Sequence, residues 1–98
     1  MEPGKKVWIF ADGDLPPQGA EEPFGHEALV IVNVGDFDAD LDIELLFSES
    51  NPVTGIKLAV PAKRVQCFRL DYPIGNNGYK IPFGQYALVL RSNVPVVK

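Results

Sequence analysis

The stretch Asp40-Leu41-Asp42-Ile43-Glu44-Leu45-Leu46-Phe47 shows the clearest alternation of apolar and acidic residues in the chain. Successive side chains of a β-strand point to opposite faces of its sheet, so the pattern predicts a strand with apolar residues on one side and carboxylates on the other. The apolar side is expected to pack in the core and the acidic side to lie in water. The stretch therefore indicates a sheet with one covered face.

Short β-rich runs account for the remainder of the chain. Glycine, proline, asparagine and aspartate separate these runs, and no window shows a sustained apolar period of about 3.6 residues. The sequence therefore predicts an all-β fold, and the pattern alone fits either a β-sandwich or a small barrel. About seven short strands are predicted, at residues 6–11, 27–34, 40–47, 56–60, 65–70, 85–92 and 94–97.

The second predicted strand has a different pattern from the third. The run Ala28-Leu29-Val30-Ile31-Val32 is apolar on both sides, which is typical of a strand covered on each face. Either the fold of the same chain or a neighbouring subunit could supply the second cover. The run therefore favours an oligomer.

Length and composition define one folded domain. The chain has 98 residues, which supports one core, and we assign residues 1–98 to a single domain. Apolar residues make up 46% and charged residues 22% of the chain, which excludes the composition of a disordered protein. No apolar run approaches the roughly 20 residues that span a bilayer, and no signal-peptide core is present. We expect a soluble, cytoplasmic protein.

The charge of the chain opposes general nucleic-acid binding. The net charge is −4 and the pI about 4.8, whereas affinity for phosphate backbones depends on cationic contacts. Four basic residues in the second half still define a candidate basic patch: Lys63, Arg64, Arg69 and Arg91. The odd spacing of Arg64 and Arg69 puts them on opposite faces of a regular strand, so ion pairs with carboxylates are the favoured interpretation.

The residues that carry chemistry do not assemble into a catalytic or metal-binding motif. His26 and Glu27 are adjacent, and neighbouring strand residues point to opposite faces, so a structural or ligand-contacting histidine is favoured over a general base. A lone histidine and a lone cysteine, Cys67, form no zinc set, and Cys67 is predicted to point inward from a strand. The alternating aspartates of residues 36–42 lack the glycine and glutamate of a calcium loop. We predict no catalytic residue, no metal and no cofactor.

Several linked motifs run through the chain in a fixed order. They are Trp8-Ile9-Phe10-Ala11-Asp12-Gly13-Asp14-Leu15-Pro16-Pro17, Gly25-His26-Glu27, Asn33-Val34-Gly35-Asp36, Asp38-Ala39, Pro52-Val53, Val60-Pro61-Ala62-Lys63-Arg64, Arg69-Leu70-Asp71 and Ser92-Asn93-Val94-Pro95-Val96-Val97. In this order and spacing they resemble the Anabaena sensory rhodopsin transducer family, from about residue 6 to residue 97. The resemblance implies a β-sandwich and a homotetramer, in which subunits would cover apolar strand surface and sheet edges.

The resemblance also implies a function. It suggests a non-enzymatic signalling or binding module that meets a partner through the loops of the sandwich. In the founding member of the family, the partner is the cytoplasmic face of a membrane photoreceptor. Such a receptor face is accordingly the partner expected here.

Two other binding functions remain in competition. The first is carbohydrate or other small-ligand binding, for which aromatic and polar groups beside the loops are suited, and the candidate residues are Trp8, Asp14, His26 and Glu27. The second is gene regulation through DNA binding that is weak at most, for which the four residues of the basic patch would have to converge. The acidic net charge places DNA binding third.

Overall fold

A computed structural model of the chain describes residues 3–15, 28–82 and 84–98, without the side chains of residues 12, 14 and 15. This part of the chain contains six β-strands and no helix, which confirms the predicted all-β class. The strands are β1 (Lys5–Leu15), β2 (Ala28–Asn33), β3 (Ala39–Leu46), β4 (Val53–Val60), β5 (Arg64–Arg69) and β6 (Gly84–Val96).

The strands form two antiparallel sheets. One sheet has four strands in the order β1-β6-β3-β4, and the other consists of β2 and β5. Just beyond β6, Val97 exchanges two backbone hydrogen bonds with Val32 of β2, with N···O distances of 2.8 and 2.9 Å. The C-terminal segment therefore joins the two sheets.

Strand β3 has the predicted two-sided pattern. Leu41, Ile43 and Leu45 are buried, whereas Asp42 and Glu44 are partly exposed on the other face. Neighbouring strands supply cations to both carboxylates, because Lys57 of β4 lies 3.0 Å from Asp42 and Arg91 of β6 lies 3.2 Å from Glu44. One face of the four-stranded sheet thus packs in the core and the other carries cross-strand ion pairs.

The core lies between the two sheets. β2 contributes Leu29 and Ile31, which pack against the apolar face of the four-stranded sheet. Residues of this core that are at most 2% exposed include Ile31, Leu41, Ile43, Leu45, Val60, Ile81, Leu88, Leu90 and Val96. The architecture is therefore sandwich-like, with a single core.

The last two predicted strands are one continuous strand in the structure. β6 runs through Asn93 and Pro95, and it pairs with β1 by joining Val96 to Lys5 and Arg91 to Val7. Residues 92–95 therefore form an insertion opposite β1, where Pro95, which lacks an N–H, can be accommodated. The irregularity bends the strand without ending it, which reduces the seven predicted strands to the six described.

Strand β1 extends four residues beyond its predicted end at residue 11, through a second irregularity. Its pairing with β6 shifts register between Phe10 and Gly13. A side chain at Gly13 would overlap the ring of Tyr86, which lies against this position. Glycine is required there because only its small volume lets β1 approach the aromatic ring.

The outer face of β2 is not covered by the described residues. Leu29 and Ile31 point into the core, but Val30 between them is exposed. The register of the two-stranded sheet places Val30 opposite Cys67 and Val32 opposite Val65, all on the outer face. Cys67 is exposed, so the prediction of an inward-facing thiol is wrong. The pairing with β2 places Cys67 opposite Val30, on the face that points away from the core.

Candidate functional site

Trp8 lies in the middle of β1, on the side that faces the core. Its indole Nε1–H donates a hydrogen bond to the backbone oxygen of Val96 at 3.1 Å. Its ring is stacked with that of Phe10, with ring centroids 6.3 Å apart, and the Lys5 ammonium lies 6.0 Å from the indole centroid. The only donor of the indole is therefore committed to holding the end of β6, and a ligand would meet the ring face alone.

The side chains of the other three residues of the predicted ligand site fall outside what is described. The backbone of Asp14 pairs with Gln85, but its side chain lies outside the described atoms, and His26 and Glu27 lie outside the described residues. Their convergence with Trp8 stays a prediction.

A cavity of about 150 Å³ opens between the sheets beside this region. Its lining consists of Phe10, Gly13, Ala28, Leu29, Leu70, Tyr86, Leu88 and Lys98. In the sequence, Gly13 directly precedes Asp14, and Ala28 directly follows Glu27. The Lys98 ammonium lies 5.2 Å from the ring centroid of Phe10, which adds one cationic group to an otherwise mainly apolar lining.

The four residues of the candidate basic patch do not share one surface, although Lys63 and Arg64 are neighbours at the start of β5. Arg64 and Arg69 lie at opposite ends of β5, about 16 Å apart along the strand. Arg91 lies on the outer face of the four-stranded sheet. Within one chain the structure therefore does not bring these cations together.

Carboxylates accompany three of the four cations. Lys63 lies 3.5 Å from Asp36. Arg69 donates two hydrogen bonds to Asp71, at 3.0 and 2.6 Å, and its guanidinium also lies 4.2 Å from the Tyr72 ring centroid. Glu44 Oε1 accepts a hydrogen bond from Arg91 Nη1 at 3.2 Å. These pairs reduce the positive potential that a phosphate backbone would meet.

Two loops meet at the end of the molecule where β2 and β4 finish: residues 34–38 and residues 61–63. Asn33, which is fully buried, links them with its side chain. Its Nδ2 donates to the backbone oxygens of Phe37 at 2.8 Å and Val60 at 3.1 Å, and its Oδ1 accepts from the N–H of Gly35 at 3.0 Å. We call this pair of loops the Asn33 loop pair.

Further bonds cross between the two loops. The Ala62 N–H donates to Asp38 Oδ1 at 2.9 Å, and Lys63 Nζ donates to the oxygen of Val34 at 2.8 Å. Lys63 itself has a φ of 59°, a left-handed conformation that lysine adopts only when the surroundings impose it. The loop pair is consequently a defined surface, fixed from both sides.

Phe37 projects from this fixed surface. It is 75% exposed, the largest exposure among the bulky apolar residues described, while its own carbonyl is held by Asn33. The sequence analysis did not single out Phe37. A signal was present, because an aromatic residue between Asp36 and Asp38 in a turn has no apolar neighbour with which to enter a core.

The described part of the chain offers no group of three or more histidine, cysteine, aspartate or glutamate side chains that could hold a metal ion. Among the same residues, no helix is long and apolar enough to cross a membrane.

The fold and these loops define a class of protein: a small two-sheet β-protein that presents a hydrogen-bonded loop pair at one end of a single core. The chain belongs to the Anabaena sensory rhodopsin transducer family, whose model matches residues 3–98. This match confirms the resemblance found in the sequence motifs.

Solved structures agree with the family assignment. The chain is 37% identical to the Anabaena sensory rhodopsin transducer, with a TM-score of 0.84 over 99% of this chain and 93% of that one. It is 33% identical to the Thermotoga maritima 1070 crystal structure, with a TM-score of 0.79 over 98% of this chain and 78% of that one. No curated protein matches the chain.

Proposed function

We propose that this protein is a non-enzymatic signalling module that acts by binding a partner protein through the loops of its sandwich. The observation that carries the proposal is family membership across residues 3–98. By analogy with the sensory rhodopsin transducer, the partner is the cytoplasmic face of a membrane receptor of the sensory rhodopsin class. A cytoplasmic homotetramer is part of the same proposal.

The Asn33 loop pair supports this function. Exposed aromatic side chains on fixed surfaces are frequent anchors of protein interfaces, since they bury a large area and lose little conformational entropy. Phe37 meets this description because it is exposed while its backbone is hydrogen-bonded to Asn33. It is therefore the residue assigned here to contact the partner.

The electrostatics of the loop pair indicate the complementary surface. Asp36 and Asp38 flank Phe37, and the whole chain carries a net charge of −4. Lys63 offsets part of this charge through its contact with Asp36. A partner surface with an apolar recess surrounded by basic residues would complement it, and association would be faster at low ionic strength.

The test is binding to a sensory rhodopsin in nanodiscs, measured by surface plasmon resonance, with the Anabaena transducer as positive control. Phe37→Ser is expected to weaken binding about 30-fold, the effect of removing a central aromatic anchor. Tyr72→Ser is the matched control, since Tyr72 is also exposed but follows β5 at the other end of the two-stranded sheet. Absent binding of the native protein, or equal losses in both variants, would contradict the proposal.

Small-ligand binding, with carbohydrate as the leading class, is a second candidate that one observation favours. The lining of the cavity of about 150 Å³ includes Gly13 and Ala28, the sequence neighbours of the candidate residues Asp14 and Glu27. A native-state ligand raises the melting temperature with its occupancy, so thermal shifts against sugars and sugar phosphates test this candidate. A saturable shift that Leu88→Trp, a substitution that fills the cavity, abolishes would support it, and no shift across the panel would reject it.

A further inference from the structure

Strand β5 has one edge that no described strand covers. It pairs with β2 on one side only. Val32 of β2 exchanges both of its backbone hydrogen bonds with Val97, so neither goes to Val65, the residue opposite it on β5. Hydrogen-bonded and non-hydrogen-bonded pairs alternate along an antiparallel ladder, so the backbone N–H and C=O groups of Val65, Cys67 and Arg69 point away from β2.

The uncovered edge of β5 borders an open groove of about 570 Å³. One wall consists of Cys67, Phe68 and Arg69 of β5, and the other of Lys57, Leu58 and Ala59 of β4. β4 is itself the edge strand of the four-stranded sheet, and it does not pair with β5. The groove therefore lies between the edges of the two sheets. Its apolar surface comes from Leu58, Phe68 and Ile74, which belong to the core or pack against it.

The two edges that border the groove differ in their capacity to pair with another strand. On β4, the backbone N–H of Lys57 donates to the side-chain oxygen of Asn76 at 3.1 Å, which covers part of that edge. On β5, the Tyr72 N–H donates to the oxygen of Arg69 at 3.4 Å, at the last residue of the strand. The open part of the β5 edge is therefore its centre, at Val65 and Cys67.

An edge of this kind selects one type of ligand. Its backbone presents N–H donors and C=O acceptors in alternation, and an extended peptide has a backbone that matches such a row. Residues 65–68 at the centre of β5 are uncharged, and the groove beside them is apolar at Leu58 and Ile74. Alternate side chains of an added strand would contact this apolar surface.

The charges of β5 oppose pairing with a second copy of the strand. β5 begins with Arg64, ends with Arg69 and contains no acidic residue. Two copies side by side would bring arginine beside arginine in either direction, and like charges across a strand pair are destabilising. Arg64 forms no ion pair with a described residue, and its guanidinium donates to the backbone oxygen of Lys63 at 3.1 Å. Carboxylates at both ends of an added strand would complement this edge.

We propose that the free edge of β5 binds an extended segment of a partner protein by strand addition, and that this segment is uncharged at its centre and carries a carboxylate at each end. Its backbone pairs with Val65 and Cys67, its carboxylates lie near Arg64 and Arg69, and alternate side chains enter the groove. The surface begins where the Asn33 loop pair ends and does not include Phe37. The inference therefore goes beyond the proposed function, and either can fail alone.

Backbone pairing is tested by fluorescence anisotropy with the fluorescein-labelled, amidated peptide Glu-Val-Thr-Val-Thr-Glu, which should bind the native protein saturably. Cys67→Pro should weaken binding about tenfold, because it removes an N–H that the added strand needs and that the ladder with β2 does not use. Cys67→Ser retains the N–H and is the matched control, with an affinity within about twofold of native. Circular dichroism melting checks that both variants fold. No saturable binding by the native protein, or a folded Cys67→Pro that binds like Cys67→Ser, would overturn the proposal.

Charge exchange tests the preference for carboxylates. Arg64→Glu should weaken binding of the same peptide about fivefold, and the peptide with lysine in place of both glutamates should bind Arg64→Glu more tightly than the native protein. Arg91→Glu is the matched control, since it changes the net charge equally on the outer face of the four-stranded sheet. Equal losses in the two variants would overturn the preference. Phe37→Ser should bind the peptide as the native protein does, which separates this test from that of the loop pair.

Hydrogen exchange measured by NMR locates the peptide on the native protein. Saturating peptide should slow exchange of the Cys67 amide, which points to the free edge, and leave unchanged that of Phe68, which lies in the ladder with Leu29. Protection of β1 in place of Cys67 would overturn the assignment to β5. Protection of Cys67 that appears without peptide and increases with protein concentration would place a second copy at this edge and would also overturn the proposal.

Discussion

The outer faces of the two sheets differ in kind. On the four-stranded sheet, Asp42 and Glu44 of β3 lie against Lys57 and Arg91 of the neighbouring strands. On the two-stranded sheet, the outer face presents Val30, Val32, Val65 and Cys67, with Val65 59% exposed. Across β3, β4 and β6 the outer face of the four-stranded sheet is therefore ion-paired, whereas the outer face of the two-stranded sheet is apolar and has no charged residue at its centre.

This difference shows that the core of one protomer buries the apolar residues on only one face of β2 and of β3. In β3 the apolar residues Ala39, Leu41, Ile43 and Leu45 share one face, and the core buries all four. Only Leu46, at the end of the strand, is apolar on the other face, where it is exposed. In β2 the apolar residues occupy both faces, and the same core buries only Leu29 and Ile31. The stability of a protomer should therefore depend on the inner faces of both sheets and little on either outer face.

The largest effect is expected for a core residue compared with an outer apolar one. Ile43→Ala should lower the free energy of unfolding by about 2–5 kcal/mol, because it leaves a cavity at a fully buried site. Val30→Ala, on the outer face of β2, should cost about 1 kcal/mol or less. Urea unfolding at low protein concentration measures both. A loss at Val30 as large as that at Ile43 would show that the outer face of β2 is covered, and the comparison would fail.

A polar residue in the interior gives an intermediate effect. Asn33→Ala removes both donors to Phe37 and Val60 and the acceptor of the Gly35 N–H. Leaving buried backbone groups unpaired costs about 1–3 kcal/mol each, partly recovered where water reaches them, so the unfolding free energy should fall by about 2–3 kcal/mol.

The matched control for this change is Asn93→Ala. Asn93 also accepts a backbone N–H, that of Asp40, but at an exposed position where water can replace it. Its loss should be about 0.5 kcal/mol. If the two asparagines were equivalent in denaturant melts, the loop pair would not depend on the buried amide.

The smallest effect is expected for the ion pairs that make the four-stranded sheet polar. A double-mutant cycle with Glu44→Gln and Arg91→Met should give a coupling of about 0.2–1 kcal/mol, because the partners are partly exposed. The coupling should decrease as sodium chloride is raised. A larger, salt-independent coupling would mean that the outer face of this sheet is also covered.

A strand and its buried face could be predicted where the sequence pattern allows only one assignment of the two faces. The alternation of residues 40–47 identified β3, its buried face and its solvated face. The two-sided apolar run of β2 identified a strand but not which face would enter the core, and Cys67 on the partner strand was assigned to the wrong side. That choice depends on where the two-stranded sheet packs, which is a long-range property.

The candidate site was predictable to a similar degree. Trp8 was named as a candidate ligand-binding residue, which stays a prediction. Its hydrogen bond joins it to Val96, 88 residues later, and no local pattern reports such a contact. The dispersal of Arg64, Arg69 and Arg91 over different surfaces likewise depends on the sheet topology. Phe37 lacked a motif of its own, so only its exposure drew attention to it.

The order of strands also affects how this chain can be made. β6, which comes last among the six described strands, lies between β1 and β3, and its end is joined to β2 through Val97. While residues 84–97 are still inside the ribosome, β1 has no partner within its sheet, and β3 has only β4. Such distant pairing is slow to form, so the nascent chain must remain unaggregated until β6 has left the ribosome, and the four-stranded sheet cannot close before that point.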